Sequence, residues 1–137
     1  MTDLADFATV AAADHNFCVM TTTRADGTIQ ASVVTAGLMK DAVVFVAAGG
    51  SRKLANLRAR PSATIVASAG GAWVAVEGTA ELVGPDDNPP ANLRQLLRDA
   101  FKAAGGTHDD WDEYDRVMAE DRRAVVFITP RRVYSNG

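Results

Sequence analysis

The chain has 137 residues, 47% of them hydrophobic and 23% charged, and 14 Lys and Arg set against 17 Asp and Glu give a formal net charge of −3. This length fits one domain spanning 1–137 with enough apolar residues to bury a core, and the negative balance argues against nucleic-acid binding by bulk electrostatics, so any anion site must be local. A single cysteine, Cys18, rules out an internal disulfide and suits a reducing cytoplasm, while the start shows no signal-peptide pattern and no apolar run approaches the ~20 residues of a membrane span.

Leu4, Phe7, Ala8 and Ala11 recur at helical spacing, which predicts a short amphipathic helix over 3–13. Phe17 to Thr23 is apolar and β-branched and reads as a first strand. Ala25-Asp26-Gly27 turns the chain, and Thr28 to Thr35 returns as a second strand. After a tight turn at Met39-Lys40-Asp41, Ala42 to Ala48 is a third strand, apolar on both faces. Gly49-Gly50 ends it, Ser51 is a good N-cap, and 52–60 reads as a short helix with Leu54 and Leu57 inward, stopped by Pro61.

Thr64 to Ser68 and Trp73 to Val83 read as strands four and five, joined by Gly70-Gly71. Pro85 to Pro90 is a loop, and Leu93, Leu96, Leu97 and Phe101 mark a helix over 90–103 that Gly105-Gly106 ends. An acidic helix over 109–119 carries Trp111, Tyr114 and Met118 on one stripe. Arg123 to Thr129 is a sixth strand, with a short further edge at Val133-Tyr134. Short antiparallel strands with few helices predict a mainly β domain, a six-stranded closed or nearly closed barrel. Parallel βαβ units are missing, and Gly49-Gly50 lacks the rest of a dinucleotide fingerprint.

The stretch GGSRKLANLRARP, Gly49 to Pro61, gathers Arg52, Lys53, Arg58 and Arg60, and the window from Ala42 to Val76 contains no Asp or Glu. Arg52 and Lys53 fall at the start of a helix, where open N–H groups and the dipole already place positive charge. Two cations there oppose the dipole, and an external anion reverses that cost. Backbone N–H groups, the Ser51 hydroxyl, the Arg52 guanidinium and the Lys53 ammonium form a candidate phosphate cradle. Asn56, one turn on, is a candidate amide donor. Arg58 and Arg60 lie near the helix C-terminus, where cations suit the dipole without a ligand.

Four segments, TTTRADGTIQASVV, SRKLANLRARP, WVAVEGTAELV and HDDWDEYDRVMAEDRRAVVFITPRRVY, taken in order and spacing, resemble a known family. The chain is similar to the flavin- and deazaflavin-binding split β-barrels related to pyridoxamine 5′-phosphate oxidase, most of all the actinobacterial branch that uses coenzyme F420. The resemblance runs from about Asn16 to Tyr134. It implies a homodimer with two cofactors at the interface; a small-molecule substrate is expected, and charge and hydropathy leave no nucleic-acid or membrane partner expected. It places the cofactor ring against strand two, at Gln30, Ser32, Val33, Val34 and Thr35. It places the phosphate on the third strand and following helix, at Val46, Ala47, Ala48, Ser51, Arg52 and Lys53, with Lys53 matching the usual basic residue. It assigns Trp73 to closing the site from the second subunit; on the residues alone, Trp73 fits core or dimer packing better than ring stacking.

Gln30, Ser32 and Val34 alternate with Ala31 and Val33 and so share one face of strand two. Small and polar side chains there would let a flat ring approach the backbone. His15 and His108 read as structural, Cys18 as a buried small hydrophobe, and the acidic run from Asp109 to Asp115 as a solvated helix face. No metal-ligand set or catalytic triad can be assembled, so the catalytic residues are unknown, as suits a protein whose cofactor carries the chemistry. The terminus PRRVYSNG lacks the longer segment of true pyridoxamine 5′-phosphate oxidases, so that activity is not expected. The expected function is reduction of a small unsaturated acceptor by reduced F420. An FMN-dependent oxidoreductase and a non-catalytic flavin or F420 carrier are the alternatives.

Overall fold

Six strands close on themselves in the computed structural model, which describes residues 1–137. They are β1 (Phe17–Thr23), β2 (Ile29–Met39), β3 (Ala42–Ala47), β4 (Ser62–Ala69), β5 (Ala72–Val83) and β6 (Ala124–Ser135). The order around the barrel is β1-β2-β3-β6-β5-β4, and every neighbouring pair is antiparallel. Four helices decorate it: α1 (Leu4–Ala13), α2 (Arg52–Ala59), α3 (Leu93–Ala103) and α4 (Trp111–Glu120). None is long and apolar enough to cross a membrane.

Period-two alternation turns one side of each strand inward. Met20, Val43, Phe45, Ile65, Val76, Val126 and Ile128 fill the interior and are all but fully buried. Phe7 and Ala11 of α1 and Leu54 and Leu57 of α2 join the same cluster. A second apolar cluster lies outside the barrel. There Leu96, Leu97 and Ala100 of α3 and Tyr114 of α4 cover Ala42 and Val44 of β3 and Val125 and Phe127 of β6. That second layer explains why β3 is apolar on both faces.

No helix covers the rest of the outer wall. Val33 faces outward on β2 and is 65% exposed; Val19, its register partner on β1, is 45% exposed. The row continues through half-buried Val66 of β4 and buried Ala75 of β5 to Tyr134 of β6. Phe17 and Ile29 flank it, so every exposed large hydrophobic residue except Met1 lies on this one face.

The element order matches the sequence reading, and two boundaries differ by more than three residues. β2 runs on to Met39 because its first part pairs with β1 and its second with β3, from Ala36 opposite Phe45 to Met39 opposite Ala42. β6 does not stop at Thr129 but passes through Pro130 to Ser135. Its register against β5 shifts between Glu77 and Gly78, where Pro130 sits opposite Gly78. A bulge is one of the few places in a sheet that tolerates a residue without an N–H.

Cys18 is 2% exposed, and burial, helped by the Asp14 charge, pushes its thiol up to about 12, so it behaves as a small apolar core residue.

Gly37 is the point where β2 passes under α3. A Cβ there would run into the Ala103 carbonyl, whereas a Cβ at Gly50 would meet nothing within 4 Å. Gly37→Ala should therefore lower the unfolding free energy by about 2 kcal/mol or more, and Gly50→Ala by less than about 0.5 kcal/mol, in urea denaturation.

Candidate functional site

The β3–α2 turn is pinned at one residue and open at the next. Gly49 donates its N–H to the Asp121 carbonyl at 3.0 Å, and its Cα packs against Arg122 too closely for a side chain. Gly50 faces open space. The Ser51 N–H donates to the Ala48 carbonyl at 3.1 Å, which turns the chain into α2. Ser51 sits at the N-cap with extended backbone, yet its side chain caps nothing, and its Oγ is buried with no hydrogen-bond partner.

The first N–H groups of α2, on Arg52, Lys53 and Leu54, have no acceptor in the chain. The cations beside them are also unmatched: neither Arg52 nor Lys53 forms an ion pair. The other two cations of the cluster are engaged elsewhere, as their helix C-terminal position predicts. Arg58 binds Asp87 through two hydrogen bonds of 2.9 and 2.8 Å, and Arg60 donates to the Thr23 carbonyl at 2.8 Å. The cluster thus divides into a structural pair and an unpartnered pair. The donors and charges at the start of α2 suit a phosphate.

Asn56 does not join that cradle. It is 4% exposed, and both hydrogens of its Nδ2 are committed, to Thr22 Oγ1 at 3.0 Å and Gln30 Oε1 at 3.1 Å. Its role is to tie α2 to β1 and β2. The expectation of a free amide donor is corrected on this ground.

The face of β2 is corrected as well. Gln30, Ser32 and Val34 do share one side, but it is the barrel side: Val34 belongs to the core, Ser32 pairs with buried Met20, and Gln30 holds Asn56. Val33 and Thr35 are the outward residues, and Val46 is half-buried on β3 beside them. Ala47 turns into the core, and Ala48 leads to the turn. A ring lying on β2 from outside would therefore meet Ala31, Val33 and Thr35, with Gln30, Ser32 and Val34 reaching it only through their backbone.

Trp73 stands on the same outer wall at the start of β5. Its ring meets Tyr134 edge-on, with centroids 6.1 Å apart and planes at 86°. Within one chain, β1 and β4 separate it from β2, a gap of about 14 Å at ordinary strand spacing. One chain cannot place both Trp73 and Val33 against one ring.

Sequence reasoning missed Glu77, on the same face of β5 as Trp73. Tyr134 donates its hydroxyl to Glu77 Oε2 at 2.6 Å, and that bond raises the Tyr134 pKa above the ordinary tyrosine value. The pairing was not readable because it depends on the bulge at Pro130. His15 is exposed in the turn after α1, and His108 accepts the Asp110 N–H on Nδ1 at 3.0 Å. Asp115 is no solvated acid, since Arg98 and Arg94 both pair with it from α3.

The family described as pyridoxamine 5′-phosphate oxidase matches residues 6–137. Among solved structures, a heme binding protein from Mycobacterium smegmatis is 22% identical at a TM-score of 0.70, covering 100% of this chain and 55% of that one. A protein described as F420 reductase is 16% identical at a TM-score of 0.65, covering 86% of this chain and 88% of that one. A pyridoxamine 5′-phosphate oxidase-related, FMN binding protein from Nostoc punctiforme is 12% identical at a TM-score of 0.66, covering 96% and 82%. At these identities the likeness establishes the fold.

Removing the Asn56 amide strands the Thr22 hydroxyl and the Gln30 carbonyl in a buried setting. Asn56→Ala should lower the unfolding free energy by about 1–3 kcal/mol, measured by chemical denaturation, whereas Arg52→Ala, which breaks no hydrogen bond or ion pair, should leave it within about 0.5 kcal/mol.

Proposed function

The chain belongs to the pyridoxamine 5′-phosphate oxidase family, and from that premise we propose that it is an oxidoreductase which binds reduced coenzyme F420 and reduces a small unsaturated organic acceptor. The observation that carries this reading is the start of α2, where three N–H groups and two cations have no anion in the protein. The Ser51 Oγ at the same place has no hydrogen-bond partner, and a turn of its side chain toward the surface would let it donate to a bound phosphate. Bound there, a deazaflavin supplies hydride from its reduced ring carbon. The chain's own part is to hold the phosphate at Ser51, Arg52 and Lys53, to offer β2 and Val46 as a flat bed for the ring, and to keep water from it.

The cleft beyond the cradle favours F420 over FMN. It has a volume of about 580 Å³ and runs between the β1–β2 hairpin and α2, lined by Arg24, Arg52 and Arg60. Asp26 also lines it, with its carboxylate already taken up by the Thr28 hydroxyl and N–H. FMN ends at its phosphate, whereas F420 continues into a polyglutamate tail that such a basic cleft can follow. The FMN binding relative supports the alternative, in which the same cradle takes the FMN phosphate.

A second copy of the chain completes the site in this reading. The open apolar wall of β2, β1, β4 and β5 is the surface it would cover, since contiguous exposed apolar area of this kind marks an interface. That contact brings Trp73 of the partner subunit toward the β2 bed, which one chain cannot do for itself.

Fluorescence titration should give micromolar F420 binding and much weaker FMN binding; the reverse order would support the FMN reading. Lys53→Ala should weaken the bound cofactor by roughly 10- to 150-fold, the ~1.5–3 kcal/mol of a charge-assisted bond, with unchanged urea stability. An unchanged affinity would place the phosphate elsewhere. The protein should sediment near twice the 14.5 kDa chain mass, and Val19→Lys, whose side chain lies on the open wall, should give a folded monomer.

A further inference from the structure

A cavity of about 280 Å³ opens where the outer face of the barrel meets the helical layer. Its lining includes Thr35 of β2 and Val46 of β3, the two strands proposed as the ring bed, together with Phe101 of α3, Tyr114 and Met118 of α4, and Arg123. Its size lies near the lower end for small-molecule sites. The Phe101 and Tyr114 rings stand 5.0 Å apart and supply aromatic walls. Tyr114 offers no free donor, because its hydroxyl donates to the Leu97 carbonyl at 2.9 Å.

The one cation in the lining is Arg123. Its Nε pairs with Asp121 at 3.3 Å, and the terminal nitrogens of its fork make no hydrogen bond within the chain. Arg123 also borders the 510 Å³ cleft on the other side of Met118, whose other arginines are paired too: Arg94 with Asp115, Arg116 with Glu120 and Arg122 with Asp86. That cleft also touches neither β2 nor β3.

We propose that the cavity between β2, β3, α3 and α4 binds the acceptor, a planar and mostly apolar small molecule with one anionic or carbonyl oxygen that Arg123 holds. This inference rests on the F420 or flavin reading of the β2 bed, because it places the acceptor directly beside that bed. The aromatic walls select flat apolar bodies, and the guanidinium fork selects the oxygen. Phe101 and Met118 set the size of the acceptor, and Arg123 sets its orientation.

Trp111 reports on the cavity, since its ring lies 5.2 Å from Tyr114 and 6.1 Å from Phe101. In Trp73→Phe protein it is the sole tryptophan. The experiment titrates that protein, without cofactor, with 2-hydroxy-1,4-naphthoquinone, an anion at neutral pH, and with neutral menadione. Both should quench Trp111 saturably. Arg123→Gln should loosen the anionic quinone at least 10-fold and menadione less than 3-fold, and Arg123→Lys should recover part of the loss. With F420 or FMN bound in otherwise native protein, Arg123→Gln should raise the KM for the anionic quinone while the cofactor Kd stays unchanged. Unsaturable quenching, or an anionic quinone indifferent to Arg123, overturns the cavity assignment and leaves the cradle reading standing. Arg123-dependent quenching in a protein that binds neither F420 nor FMN overturns the cofactor reading and the acceptor role with it.

Discussion

The account depends on one electrostatic imbalance. At the start of α2, three backbone donors have no acceptor and two cations form no ion pair within the protein. A helix end of this kind is normally relieved by a capping side chain or an acid in the first turn. Here Ser51 sits at the cap without capping, and the first turn holds Arg52 and Lys53. The sequence achieves this by clearing Asp and Glu from Ala42 to Val76. Two carboxylates nearby are already paired, Asp87 with Arg58 and Asp86 with Arg122, and Asp26, which shares a cleft with Arg52, is turned to Thr28. Packing fixes the cradle in place, through Gly49 against the α4–β6 turn and Asn56 against β1 and β2.

The second constraint is how the barrel's outer surface is shared. α3 and α4 cover β3 and the first half of β6, and the remaining wall is bare. The β2 bed lies at the seam between covered and bare halves. This seam places three proposed elements side by side: the phosphate cradle after β3, the ring bed on β2, and the cavity under α3 and α4. It also leaves Trp73 on the bare wall, three strands away around the barrel. The proposed completion of the site by a second copy rests on this separation as well as on the apolar character of the wall.

Much of this was legible in the residues. Element order, the Ser51 to Pro61 helix, the division of Arg58 and Arg60 from Arg52 and Lys53, and the stripe of Trp111, Tyr114 and Met118 all follow from local pattern. What failed to read locally depended on closure of the barrel. Alternation in β2 told that Gln30, Ser32 and Val34 share a side, but only pairing with Met20 tells that the side is inward. Asn56 looked free because its partners, Thr22 and Gln30, are distant in sequence. Pro130 looked like a strand end because the bulge that accommodates it belongs to the register with β5. Asp115 looked solvated because Arg94 and Arg98 reach it from another helix.

The central claim is that an anionic redox cofactor docks with its phosphate on the first turn of α2. Backbone amide resonances of the isotopically labelled protein, followed during titration with F420, test it most directly. The account predicts that the Arg52, Lys53 and Leu54 amides move furthest, as their open N–H groups gain an acceptor, with smaller movements at Val33 and Thr35. Saturable binding that shifts other amides while those three stay still would contradict it.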